Sequence, residues 1–176
     1  ISLVANRKGI KTLCKYFNKK SSMEIKKEYG NARLISCFNT FANIENIQNF
    51  LIGFKNIMSH KTVGIIETQY GLDVIKKSLI DTIYHEHINY FTKKSLNILF
   101  QKNGLEIFKF NVFGNKGGSL RIFFRLMKNK TITKQNVQRE LDAESKKINL
   151  KEIRNFKKKI NENKRSLKSF LLSQKF

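Results

Sequence analysis

Leu105-Glu-Ile-Phe-Lys-Phe-Asn-Val-Phe113, Gly114-Asn-Lys-Gly-Gly118 and Ser119-Leu-Arg-Ile-Phe-Phe-Arg-Leu126 decide the fold. Residues Leu105–Phe113 and Leu120–Leu126 read as strands, because both are rich in β-branched and aromatic residues. The Gly-rich link between them is too short for a crossover, since parallel neighbours need a connection of roughly a dozen residues or more. These two strands are therefore expected to be antiparallel. Upstream, apolar runs at Ile10–Cys14, Ala32–Cys37 and Thr62–Glu67 have the length of buried strands. Helical patterns separate them, and strand–helix alternation is the rhythm of a parallel α/β sheet. The expected fold is a partial Rossmann-like α/β sheet, parallel strands closed by an antiparallel final strand.

Helix signals support this order. Ile44, Ile47, Phe50, Leu51, Phe54, Ile57 and Met58 recur at helical spacing. Residues 2–8 read as a helix end followed by Gly9. Ser21 or Ser22 is expected to cap a helix that Gly30 stops, Asn39–Ala42 reads as a turn, and residues 72–80 read as helical. Thr92 is expected to cap a helix ended by Gly104, and residues 81–91 read as irregular.

The composition changes from Lys128 onward, where Lys, Asn, Glu and Gln dominate. Residues 1–127 are expected to form the α/β domain and 128–176 a basic helical connector, with Leu150–Phe176 as one helix. A coiled-coil-like basic arm is the competing reading of that helix. The net charge is +22, with a sequence pI near 10.1. Such a charge suits an anionic partner, but Lys, Asn and Ile are abundant together while Pro and Trp are absent, a pattern that codon bias also produces. Arg, the better match to phosphate oxygens, is the minor cation. Nucleic acid is therefore not the expected partner. Cys14 and Cys37 form no CxxC, and two buried thiols in a reducing, cytoplasmic setting are expected. No apolar run approaches the roughly 20 residues that span a bilayer.

The chemistry concentrates in Tyr84-His85-Glu86-His87, which holds two of the three histidines. Histidine moves protons near neutral pH, a neighbouring carboxylate can orient it, and a phenol can donate to a developing oxyanion. A purely structural hydrogen-bonded loop would use the same residues. So would a zinc site joining His85, His87 and Glu67, although the spacing fits no standard zinc signature.

Asp81-Thr-Ile-Tyr-His-Glu-His-Ile-Asn-Tyr-Phe-Thr92 resembles the YHEHxxYF segment of the deoxysugar C-methyltransferase family. Three further stretches resemble that family in order: Asn39-Thr-Phe-Ala-Asn-Ile44, Ile66-Glu-Thr-Gln-Tyr-Gly-Leu-Asp73 and Gly117-Gly-Ser-Leu-Arg121. The resemblance runs from about Val4 to Leu126. It implies a class I methyltransferase sheet and S-adenosylmethionine as cofactor. It further implies methylation of carbon next to the ketone of a nucleotide-linked sugar. By that resemblance His87 is the general base, Glu86 orients or polarises it, and Tyr84 stabilises the enolate. Asn39 approaches the cofactor, Glu67, Tyr70 and Ser119 lie near the substrate, and no metal is required.

Three positions depart from the family pattern. Asn43 stands where His is usual, Gln69 replaces a Pro, and Lys116 stands where His often precedes GGSLR. A Gly-rich cofactor turn, GxGxxG or similar, is missing, and the first residue is Ile1. The chain is thus expected to be a piece of a longer enzyme, beginning after the first strands. A basic nucleic-acid-binding protein and an inactive methyltransferase-like remnant are the alternatives.

Overall fold

The computed structural model describes residues 1–114, 117–128 and 134–174. Four strands, β1 (Leu34–Phe38), β2 (Val63–Gln69), β3 (Leu105–Phe113) and β4 (Ser119–Leu126), form one sheet in the order β1-β2-β4-β3. β1 and β2 are parallel, and β4 runs antiparallel to both β2 and β3. The α/β class with a mixed sheet is as expected. The antiparallel strand is the last in the chain, and β4 inserts between β2 and β3. Its central position lets both of its edges hydrogen-bond, which suits the strand whose alternate residues Leu120, Ile122 and Phe124 are fully buried.

Helices α1 (Ser2–Arg7), α2 (Lys19–Tyr29), α3 (Ile47–Ile57), α4 (Gly71–Lys77), α5 (Lys93–Lys102), α6 (Gln135–Ser145) and α7 (Leu150–Ser173) complete the described chain. Short 3₁₀ turns lie at Phe41–Asn43 and Ile80–Thr82. Among the described residues no helix is long and apolar enough to cross a membrane.

The core forms on one face of the sheet. Phe50, Leu51 and Phe54 of α3, Leu96 and Phe100 of α5, and Val137 and Leu141 of α6 pack with the buried strand residues. Phe124 is the hub: its ring lies 5.0 Å from that of Phe100 and 5.7 Å from that of Phe54. Gly64, its partner in register, leaves the space, since a Cβ there would sit 2.1 Å from the Phe124 ring. Intervening residues face away from that core. There Arg121 lies over Phe113 and Phe38, at 4.6 and 5.4 Å, and bonds Glu67, while Arg125 bonds Glu106.

Three expectations are corrected. Ile10–Cys14 is not a strand, because no neighbour pairs with it; the Asn6 carboxamide instead holds the Thr12 N–H at 2.7 Å and its carbonyl at 2.9 Å. Neither Ser21 nor Ser22 caps α2. Asn18 does so, accepting from the Ser21 N–H at 3.0 Å, and Ser21 returns a bond to the Asn18 N–H, a capping box that starts the helix earlier. Only one cysteine is withdrawn from solvent: Cys14 is exposed and Cys37 half-buried. Thr92 does cap α5, reciprocally with Ser95.

Among the described residues of 128–176 there are two helices, α6 and α7. On α6, Val137, Leu141 and Glu144 share one buried side against β3 and α5. α7 has no buried residue and touches α4.

Burial pushes the Cys37 thiol up to about 11, so it stays protonated near neutral pH. With an aromatic disulfide reagent at about pH 8, Cys14 should react at least about tenfold faster than Cys37 in the folded chain, and both should react alike in denaturant. Equal rates in the folded chain would show that β1 is not packed as described. Gly64→Ala should cost about 1–3 kcal/mol through overpacking against Phe124, read as a lowered urea midpoint; an unchanged midpoint would contradict that contact.

Candidate active site

A cavity of about 420 Å³ opens where β1 and β2 end. Ligand sites of open α/β sheets lie at this edge, outside the carboxyl ends of parallel strands. Asn39 follows β1 directly with φ of 53°, a left-handed conformation that Asn tolerates better than most residues. Its N–H donates to the Glu67 carbonyl at 3.0 Å, so the turn stays tied to β2. Ala42 and Asn43 of the first 3₁₀ turn, and Thr68 and Gln69 at the end of β2, add further wall.

The irregular segment 80–91 forms the opposite side. It has little regular structure, yet hydrogen bonds pin its C-terminal end. The Asn89 N–H donates to Ala42 O at 3.0 Å, and its side-chain amide reaches Ile44 O at 3.0 Å. The Gly71 N–H donates to Phe91 O at 2.8 Å, a close approach because a Cβ on Gly71 would meet that oxygen at 3.0 Å. Asp81, Thr82, Tyr84, Glu86 and His87 are thereby brought to the cavity.

The imidazole of His87 is held at both nitrogens. Nδ1 lies 3.0 Å from the Thr82 carbonyl oxygen and Nε2 lies 3.1 Å from the Tyr84 hydroxyl. A carbonyl can only accept, so Nδ1 carries the proton and Nε2 of the neutral ring keeps its lone pair. Tyr84 then donates to Nε2, with the two ring centres 4.3 Å apart. The acceptor on Nδ1 is the Thr82 carbonyl, while Glu86, which the resemblance has orient or polarise His87, lies on the same cavity wall. Tyr90 donates to the same Thr82 oxygen at 3.0 Å, and burial raises its phenol pKa, which keeps it a donor.

The last wall comes from Gly118 and Ser119, which open β4. Gly117 and Gly118 have φ of 82° and 147°. A Cβ on Gly118 would lie 2.1 Å from an oxygen of Asp73. Lys77 Nζ bonds both Asp73, at 2.9 Å, and the Gly117 carbonyl, at 2.8 Å, latching the turn onto α4. Lys116, one of the departures from the family pattern, lies outside the described residues.

Of the residues singled out in the sequence, Asn39, Tyr84, Glu86, His87 and Ser119 line this cavity. Glu67 and Tyr70 do not. The Glu67 carboxylate accepts from Arg121 at 2.6 and 2.8 Å. Among the described residues no group of three or more His, Cys, Asp or Glu side chains could hold a metal ion, so the zinc arrangement is not formed. Tyr70 is 4% exposed, and its hydroxyl donates to Glu144 at 2.8 Å. Burial and that carboxylate raise its pKa well above the phenol range. The same Glu144 also accepts from the Lys93 and Lys94 N–H groups at 2.7 and 2.9 Å, so α6 supplies a buried anion to the N-terminus of α5. Thr68, Thr82, Asp81 and Tyr90 were not singled out by sequence. Asn43 and Gln69, two departures from the family pattern, both lie on the cavity wall.

Tyr70→Phe should lower stability by about 1–2 kcal/mol, the cost of a lost hydrogen bond to a buried charge, measured by chemical denaturation. An unchanged stability would mean that the Tyr70–Glu144 bond does not hold α6.

No family model matches the chain. Its fold superposes on a SAM-dependent methyltransferase from Anabaena variabilis with a TM-score of 0.49 and 13% identity, over 66% of this chain and 58% of that one. The chain spans 29% of the length of a curated relative, the C-methyltransferase NovU of Streptomyces niveus. To that methyltransferase it is similar in sequence across 120 residues, 68% of its own length, at 32% identity.

Proposed function

We propose that this chain carries the proton-abstracting part of an S-adenosylmethionine-dependent C-methyltransferase site. The substrate is a nucleotide-linked sugar, methylated at the carbon next to a ketone. The observation that carries the reading is the fixed tautomer of His87. Its Nδ1 proton is committed to Thr82 O, and its Nε2 lone pair is presented at the cavity beside a phenol.

The lining suits both reactants. Among the described residues its charged groups are the carboxylates of Asp81 and Glu86, with no Lys or Arg. Such a wall favours a sulfonium cation, and S-adenosylmethionine, when bound, supplies a methyl group on a sulfonium that leaves as a neutral thioether. Asn39, at the tight turn after β1, is the residue assigned to the cofactor. Ser119 faces the sugar.

His87 Nε2 takes the proton α to the ketone and becomes an imidazolium. Its Nδ1–H stays on Thr82 O throughout, so the ring need not turn. The Tyr84 hydroxyl, released from Nε2 as substrate enters, donates to the ketone oxygen and stabilises the enolate. Glu86, on the same wall, offsets the positive charge that forms on His87. The enolate carbon then takes the methyl group. Glu67 and Tyr70, tied to Arg121 and Glu144, have no part in these steps.

His87→Ala in the whole enzyme should reduce turnover on a keto-sugar nucleotide by roughly 10²–10⁴-fold, the range for loss of a general base. S-adenosylmethionine affinity, read by calorimetry, should change little. Near wild-type turnover would rule out His87 as the base, and methyl transfer to oxygen rather than carbon, read from the labelled product, would overturn the reaction class.

A further inference from the structure

We propose that Thr68 is a specificity-determining residue whose hydroxyl hydrogen-bonds a hydroxyl or carbonyl group on the sugar portion of the substrate. The assignment rests on the sugar methyltransferase reading above. Thr68 is the penultimate residue of β2, is 2% exposed and lines the cavity. Its side-chain oxygen is buried with no hydrogen-bond partner. Among the described residues one other side-chain oxygen shares that state, that of Ser78 at the C-terminal end of α4. Buried hydroxyls in folded proteins are nearly always paired, and each can both donate and accept. Thr62, just before the same strand and equally buried, follows the rule: its hydroxyl bonds the Ala32 carbonyl. Thr68 thus departs from it at the position where the strand meets the cavity.

The neighbours define what would pair with it. Gln69 and Ser119 face each other in the β2–β4 register beside Thr68, and among the described residues the surrounding wall offers carboxamides, hydroxyls and carboxylates without a Lys or Arg. That chemistry reads neutral oxygens. A sugar, which presents neutral hydroxyl and carbonyl oxygens, matches that lining, whereas a diphosphate is matched by cations. A threonine hydroxyl with no competing partner loses nothing when a sugar oxygen arrives, and it discriminates against ligands that leave it unpaired.

Stability and kinetics of Thr68→Val and Thr68→Ser in the whole enzyme test this, using S-adenosylmethionine and a panel of nucleotide-linked keto sugars. Valine keeps the branched shape and removes the hydroxyl. For Thr68→Val the ligand-free melting temperature should stay level or rise. KM for the sugar nucleotide should increase about 3–10-fold, the worth of one neutral hydrogen bond, while kcat and the KM for S-adenosylmethionine stay within about twofold. Thr68→Ser should retain the wild-type KM. A melting temperature lowered by several degrees in Thr68→Val would show the hydroxyl already paired within the fold, and would overturn the proposal. So would a rise confined to the KM for S-adenosylmethionine, or a sugar KM equal to wild type. Wild-type enzyme that turns over no keto-sugar nucleotide would instead overturn the methyltransferase reading, and with it the sugar assigned to Thr68.

Discussion

The position of β4 is the constraint on which the rest of the structure depends. As an inserted antiparallel strand it bonds β2 on one edge and β3 on the other. Its register sets Ser119 opposite both Gln69 and Phe113, so the start of β4 lies level with the end of β2. The ladder continues one step further, where the Tyr70 N–H meets the Gly118 carbonyl at 3.1 Å. A one-residue slip would turn Ile122 and Phe124 out of the core and bring Arg121 and Phe123 in. The wall of the cavity and the packing of the core are therefore set by the same register.

On that frame the segment that carries the chemistry has no ladder of its own. It is held by carbonyls of neighbouring loops and by its own backbone carbonyls left free of a ladder. Ala42 and Ile44 anchor Asn89, Phe91 anchors Gly71, and Thr82 takes both His87 and Tyr90. This gives the imidazole a fixed tautomer while leaving its second nitrogen to a phenol that can be displaced. A regular helix would have consumed those carbonyls internally, so irregular backbone is what makes them available to side chains.

Much of the architecture was legible in the sequence because it rests on local patterns. The α3 periodicity, the Thr92 cap and the short link between β3 and β4 each have one physical reading. The insertion of β4 was not legible, since strand order is decided by packing between distant residues. The strand expected at Ile10–Cys14 failed for a related reason: an apolar run becomes a strand only if a neighbour pairs with it. Within the site, the Tyr84–His87 cluster stood out by composition. Thr82 acts through its backbone carbonyl, which no side-chain pattern reveals, and Thr68 reads as an ordinary β-branched strand residue until its missing partner is seen. Glu67 and Tyr70 matched a motif, but their partners Arg121 and Glu144 are 54 and 74 positions away and visible only in the fold.

Charge separates the outside of the molecule from its cavity. The net charge of +22 is carried in part by α7, a helix with no buried residue. Among the described residues the cavity lining has the opposite sign, with Asp81 and Glu86 and no Lys or Arg. Where Lys77 comes near, it is consumed by Asp73 and the Gly117 carbonyl and stiffens the turn. Exposed charges more than a Debye length away, about 8–10 Å in physiological salt, are largely screened from a site. The field inside is then set by the groups that line it, so the basic composition of the chain does not decide what the cavity accepts. Two carboxylates, an imidazole and one unpaired hydroxyl do.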